Sequence, residues 1–337
     1  MKAAILTKLN EDLEIVDIDT CELNVGQVLV KVIVSGICGS QLHEIRGNKG
    51  NGKFLPHLMG HEGCGEVVEV GPGVTTVSKG DLVVMHWRPG SGIESPFPQY
   101  KLGDKTFSSG KVNTLCEYSI ASENRLTSVP RDTNPELAAL LGCALSTALG
   151  LVDNQLNLKL GEKVAVLGVG GVGLNILQAA KIHGASQIIA IDQGDSKKEL
   201  SLRLGADLYY PALADMTELV DVLVDTTGNV GLIDSAFDKL SANGRIFLVG
   251  QPEPGESLEI SNALKFFNGQ GVSLKATQGG STNPSIDIPR YLQLFVHNRL
   301  SIKDLITHRF TLDQVNEAFE VLKSGKAGRI MIKIAEG

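Results

Sequence analysis

The segment Gly168-Val169-Gly170-Gly171-Val172-Gly173 restricts the fold of this chain more than any other. It follows a β-branched apolar run at 164–167 and opens an apolar helical pattern over 171–183. Strand, glycine turn and helix in that order begin a βαβ unit, with glycines 168, 170 and 173 at G-x-G-x-x-G spacing. In such a turn the first glycine permits the tight bend, the second admits a pyrophosphate to the backbone, and the third lets helix and strand pack closely. The phosphates then face the positive end of the helix. The pattern alone is weak in a glycine-rich chain, and its setting gives it weight. A glycine turn in a nucleotide-free α/β fold is the plainer alternative.

Downstream residues continue the alternation. Gln187–Ile191 reads as a strand, 195–204 as a helix, and 222–225 and 245–249 as strands around a helix near 231–241. Alternation of this kind predicts one parallel sheet. Asp192 ends the second strand, 24 residues after Gly168. An aspartate there accepts hydrogen bonds from both adenosine ribose hydroxyls and repels a 2′-phosphate, and no arginine follows nearby, so NAD is preferred over NADP.

The first part of the chain has another texture. Short β-branched runs at 28–34, 65–70 and 82–85 are broken by turn signals such as Gly71-Pro72-Gly73, which predicts a largely β domain. Residues 88–113, rich in Pro, Gly and Ser, read as a long surface excursion. Asn134-Pro135 supplies an N-cap and a first helical position, and one apolar helix is expected to run to about Asn154. Beyond 280 come amphipathic patterns near 285–298 and 312–324 and a last strand at 329–334. The expected division places 1–147 with 281–337 in one domain and 148–280 in a second, an α/β chain overall.

Composition supports two ordered domains. The 337 residues suggest about two domains at roughly 150 residues each. The 38 glycines have no G-X-Y period and only 12 prolines beside them, which excludes a collagen-like or disordered chain. A net charge of −7 leaves no basic footprint for nucleic acid. No apolar run approaches the roughly 18 residues of a membrane span, and the start does not read as a signal peptide, so a cytoplasmic protein is expected. Five cysteines are too sparse, and odd in number, for a disulfide framework. In a reducing compartment the question becomes which of them bind metal or react.

Cys38, His61 and Cys143 are the candidates. None has the close spacing of a structural zinc site. A catalytic site can instead gather three ligands from distant loops and leave a fourth position open, and two thiolates with one imidazole suit zinc. Equally, Cys143 reads as a core residue, His61 as a satisfied buried histidine and Cys38 as a small strand-end hydrophobe. Spacing does not decide between these readings.

Taken together, the segments resemble the zinc-containing medium-chain alcohol dehydrogenases over nearly the whole chain. Residues 36–43 (GICGSQLH) are similar to the family's GICGTDxH, Gly60-His61-Glu62 to its GHE, and 168–173 to its GxGGVG. The resemblance implies a GroES-like β-rich catalytic domain, completed by the C-terminal tail, and a Rossmann domain. It implies Cys38, His61 and Cys143 as ligands of one catalytic zinc, with Glu62 able to approach the metal. Ser40 and His43 then correspond to a proton relay, and Trp87 to a wall of the substrate pocket. Thr147, Gly168, Gly170, Gly171, Val172 and Gly173 would hold NAD, with Asp192 and Lys197 at the adenosine ribose and Arg329 near the pyrophosphate. The implied reaction is hydride transfer between a small alcohol and NAD, giving an aldehyde or ketone, or the reverse. Homodimers or homotetramers joined at sheet edges near 257–277 are also implied. The rivals are a zinc-free quinone or enone reductase and a non-catalytic NAD(H)-binding protein on the same fold.

Three departures from the family pattern stand out. Gln41 replaces an aspartate that helps orient a ligand histidine. The lobe with four closely spaced cysteines is missing, because 81–117 holds only Cys116, so one zinc per chain is expected. Cys21, Cys64 and Cys116 are left as packing residues. Only 15 residues separate Ala206 from Asp221, which predicts a shortened or missing crossover helix.

Overall fold

A computed structural model describes residues 1–261, 263–267 and 270–335 in two compact units. The first comprises Met1–Ser146, Asn283–Val296 and the chain from Ile306. Its main sheet has seven strands, with Leu126–Val129, Leu82–His86, Glu62–Val70, Gln27–Ile37, Arg329–Lys333 and Ile306–Thr311 in that order and Tyr118–Ser122 also paired to Gln27–Ile37. Gln27–Ile37 alternates along its first half. Val28, Val30 and Val32 point into a core with Val67, Val83, Met85, Ala121 and Leu126. The tail closes the sheet: Arg329–Lys333 runs antiparallel to Gln27–Ile37, with Ile330 opposite Ile37.

Two local readings change. The 88–113 excursion contains a hairpin, Gln99–Leu102 paired with Lys105–Ser108, which also pairs with Asp19–Thr20. Tyr100 is fully buried there, so the hairpin is anchored by an aromatic core residue. The expected single helix after Asn134 is broken. Asn134 caps it as read, its Oδ1 accepting from Glu136 N at 2.8 Å and Leu137 N at 3.2 Å. The helix then stops after Pro135–Leu141 and resumes as Ala144–Gly150, followed by a π-helical turn, Leu151–Gln155. Gly142 lies in the break, where a Cβ would come within 2.2 Å of Met85 O, so close packing against the sheet governs this position.

The second unit comprises Thr147–Thr282 with the short return His297–Leu305, which the sequence reading had kept in the first. Its parallel sheet orders Leu208–Tyr210, Gln187–Ile191, Lys163–Leu167, Val220–Asp225, Leu240–Leu248 and Ser273–Ala276. The chain reverses its direction of travel at Lys163–Leu167, so the strand order switches at that strand's carboxyl end, where such folds bind ligands. The crossover from Leu208–Tyr210 to Val220–Asp225 carries only the 3-10 turn Leu213–Asp215, the shortening that the spacing implied.

Candidate active site

Three turns bring the candidate ligands together. Cys38 ends the Gln27–Ile37 strand and caps the short helix Gly39–Ile45. His61 precedes the strand Glu62–Val70, and Cys143 occupies the helix break. One donor atom from each lies within 4.8 Å of the others, with both cysteines buried and His61 half-buried. The Cys38 and Cys143 side chains interact with each other. The Cys143 thiol, acting against burial and assisted by His61, holds Cys38 well below the usual thiol range. The same contact with Cys38, together with burial, pushes Cys143 well above it. Two convergent sulfurs, one already poised as thiolate, and an imidazole form a donor set that fits zinc.

Behind this cluster, Glu62 is fully buried. Its Oε2 accepts from Ala144 N at 3.0 Å and its Oε1 pairs with the Arg329 guanidinium. Gly36 makes room for this, because a Cβ there would lie 2.1 Å from Glu62 Oε1. Arg329, expected from the resemblance near a pyrophosphate, has its side chain in the first unit beside Glu62 and Cys38.

Ser40 Oγ lies 3.4 Å from His61 Nε2. Asn48 Nδ2 donates to His43 Nδ1 at 3.3 Å. Trp87 hydrogen-bonds toward Cys143 and, with Glu44, Lys49, His57, His61 and Lys111, lines a cavity of about 250 Å³. Glu44 and His57 escaped the sequence reading, since no motif marks them. The available signal was helical spacing, which puts Glu44 three residues after Gln41 on the same face. Burial opposes ionisation of Glu44, yet His57, His61 and Lys49 hold its carboxyl at about 2. Of the remaining cysteines, burial pushes Cys64 and Cys116 up to about 12, so both are neutral packing thiols, and Cys21 is half-buried.

In the second unit the glycine turn has the geometry its sequence requires. Gly168 adopts φ +86°, and a Cβ at Gly173 would lie 2.1 Å from Gly168 O. Nothing lies within 4 Å of a Cβ position at Gly170, which leaves the backbone open to a ligand. Gly171 begins the helix Gly171–Ile182, and Val172 follows in its first turn, half-buried. Asp192 Oδ2 accepts from Val169 N and from Lys197 Nζ, each at 3.1 Å. Thr147, the first residue of this unit, is buried.

Comparison with known proteins agrees with this geometry. Residues 24–131 match the alcohol dehydrogenase GroES-like domain, and 171–297 match the zinc-binding dehydrogenase model. The chain is 31% identical over 357 residues to an S-(hydroxymethyl)glutathione dehydrogenase of Photobacterium damsela subsp. piscicida, covering 95% of this chain and 96% of that one. It is 30% identical to alcohol dehydrogenase 6 of Peromyscus maniculatus, covering 98% and 97%. Among solved structures, benzyl alcohol dehydrogenase of Acinetobacter calcoaceticus superposes with a TM-score of 0.88 at 26% identity, covering 99% of each chain.

Proposed function

Because the chain belongs to the zinc-binding dehydrogenases with an alcohol dehydrogenase GroES-like domain, we propose that it moves a hydride between a small alcohol and NAD, giving an aldehyde or ketone, or the reverse. The observation that carries this reading is the convergence of Cys38, His61 and Cys143 within 4.8 Å beside a cavity. When bound, zinc supplies a Lewis acid for the substrate oxygen and the nicotinamide supplies the hydride acceptor.

Cys38, His61 and Cys143 hold one zinc per chain, leaving a fourth position for substrate. Ser40 would take the alcohol proton at its Oγ as its own hydroxyl proton is given up toward the relay, and His43 would release a proton to solvent at the relay's far end. Glu62 stands behind the ligands, and Trp87 forms one wall for the substrate's carbon skeleton. On the nucleotide side, Gly168, Gly170, Gly171 and Gly173 cradle the pyrophosphate. Thr147 and Val172 flank the nicotinamide half, and Asp192 with Lys197 takes the adenosine ribose. Five free thiols suit a cytoplasmic setting, where they stay reduced. Homodimers or homotetramers would join at the Ser273–Ala276 sheet edge. Residues 262, 268 and 269 of the 257–277 edge segment lie outside the described residues.

The deciding experiment counts metal and assays an alcohol panel with NAD and NADP side by side. We expect about one zinc per chain, chelator-sensitive NAD reduction, and loss of both zinc and activity in Cys38→Ala. Full activity of Cys38→Ala without bound zinc would overturn the assignment.

A further inference from the structure

The helix Gly39–Ile45 offers two side chains to the neighbourhood of His61, and the fold gives them different tasks. Gln41 occupies the position of the family's histidine-orienting aspartate, but its side-chain oxygen is committed elsewhere and its buried Nε2 has no acceptor among the described residues. Gln41 is fully buried, and its Oε1 accepts from Cys38 N at 2.8 Å, which fixes the turn that carries the first sulfur. Three residues on, Glu44 reaches the imidazole instead. Its Oε1 lies 4.0 Å from His61 Nδ1, and its Oε2 lies 3.8 Å from His57 Nε2. Lys49 Nζ sits 2.7 Å from the same Oε1, so the carboxylate is itself held in place. The other ring nitrogen of His61, Nε2, faces the Ser40 hydroxyl.

The two nitrogens of His61 thus face different partners, a carboxylate and a hydroxyl. Metal-bound histidines commonly give their second ring N–H to a carboxylate or carbonyl, which fixes the tautomer and strengthens the ligand. We propose that Glu44 is the positioning residue for His61. Across 4.0 Å its charge favours the tautomer with the proton on Nδ1, which leaves the Nε2 lone pair for the metal, the task that Gln41 has given up. His57 and Lys49 keep the carboxylate aimed at the ring. The inference rests on the metal-site reading proposed above.

The test uses the full chain with Glu44→Ala and Glu44→Gln variants. Zinc affinity is read by competition with a chromophoric chelator, and site geometry by the d–d absorption of the cobalt-loaded protein. Glu44→Ala is expected to weaken zinc binding about 10- to 100-fold and to alter the cobalt bands. Glu44→Gln should fall between Glu44→Ala and the unaltered protein, because an amide oxygen still accepts from Nδ1 but carries no charge. An unchanged affinity and spectrum in Glu44→Ala overturns the proposal. Melting of the metal-free variants supplies the structural control. Weakened binding with an unchanged melting temperature supports positioning, whereas weakening that only tracks lost apo stability overturns it. If the unaltered protein binds neither zinc nor cobalt, it is the metal-site reading itself that fails.

Discussion

Glu62 and Arg329 form an ion pair sealed from water, the carboxylate fully buried and the guanidinium 3% exposed. Removing one partner of such a pair strands a charge in a poorly solvating interior, at a cost of about 3–5 kcal/mol. Arg329→Leu is therefore expected to destabilise the first unit by that amount in urea unfolding. The single tryptophan, Trp87, lies in this unit and reports on it by fluorescence. Adding Glu62→Gln should restore much of the loss by removing the stranded charge. A shift below about 1 kcal/mol in Arg329→Leu would place the pair among weak surface bridges instead.

Acid should weaken the same unit through His86. Burial pushes this imidazole down to about 4. Its Nδ1 faces the Arg88 carbonyl at 2.7 Å, which only accepts, so the proton resides there and Nε2 accepts from Thr127 Oγ1 at 2.9 Å. Between about pH 4 and the unfolded value of 6.5 the unfolded chain binds a proton that the folded chain does not. Stability is thus full above 6.5 and declines as pH falls toward 4, by roughly 3 kcal/mol in all. His86→Gln should flatten that part of the pH profile, and an unaltered slope in the variant would refute the assignment.

Cofactor choice should turn on Asp192. On the function proposed above its carboxylate would face the adenosine ribose and repel a 2′-phosphate, and it neutralises Lys197, which is almost fully buried. Asp192→Ala removes the ribose acceptor and frees that ammonium for a phosphate. The ratio of kcat/KM with NAD to that with NADP should fall about tenfold or more, equivalent to about 1.4 kcal/mol. An unchanged ratio would mean the ribose binds elsewhere.

The glycine turn should tolerate no methyl group at Gly173. A Cβ there would lie 2.1 Å from the carbonyl oxygen of Gly168, a backbone atom that cannot swing aside. Gly173→Ala is expected to cost about 1–3 kcal/mol by overpacking and to weaken NADH binding in a fluorescence titration. Native affinity in the variant would count against close helix–strand packing as the reason for this glycine.

The second unit was legible because its signals are local. Glycines at 168, 170 and 173, the apolar strands and the acidic end at Asp192 each act within a few residues, and the short 206–221 interval already announced the reduced crossover. The hairpin at Gln99–Leu102 and Lys105–Ser108 left a fainter trace, a Gly103-Asp104 loop masked by surrounding Pro, Gly and Ser. The helix break could not be read. Gly142 is only a weak helix-breaking signal in the apolar run around Cys143, and the cause of the break is the approach of Met85 and Glu62 from distant strands. Three ligands were nameable from motifs plus resemblance, but Glu44 and His57 belong to no motif and meet only through folding.

The closing strand of the first unit has a consequence for biosynthesis. Arg329–Lys333 lies beside Gln27–Ile37, the strand that delivers Cys38, yet it is made after every other strand of that sheet. The second unit is complete once Leu305 has been made, so vectorial synthesis releases the nucleotide fold before its partner unit can finish. Until then residues 34–37, beyond the stretch that Tyr118–Ser122 pairs, are open on that side and Glu62 lacks Arg329, so the nascent first unit exposes a short strand edge and a stranded charge.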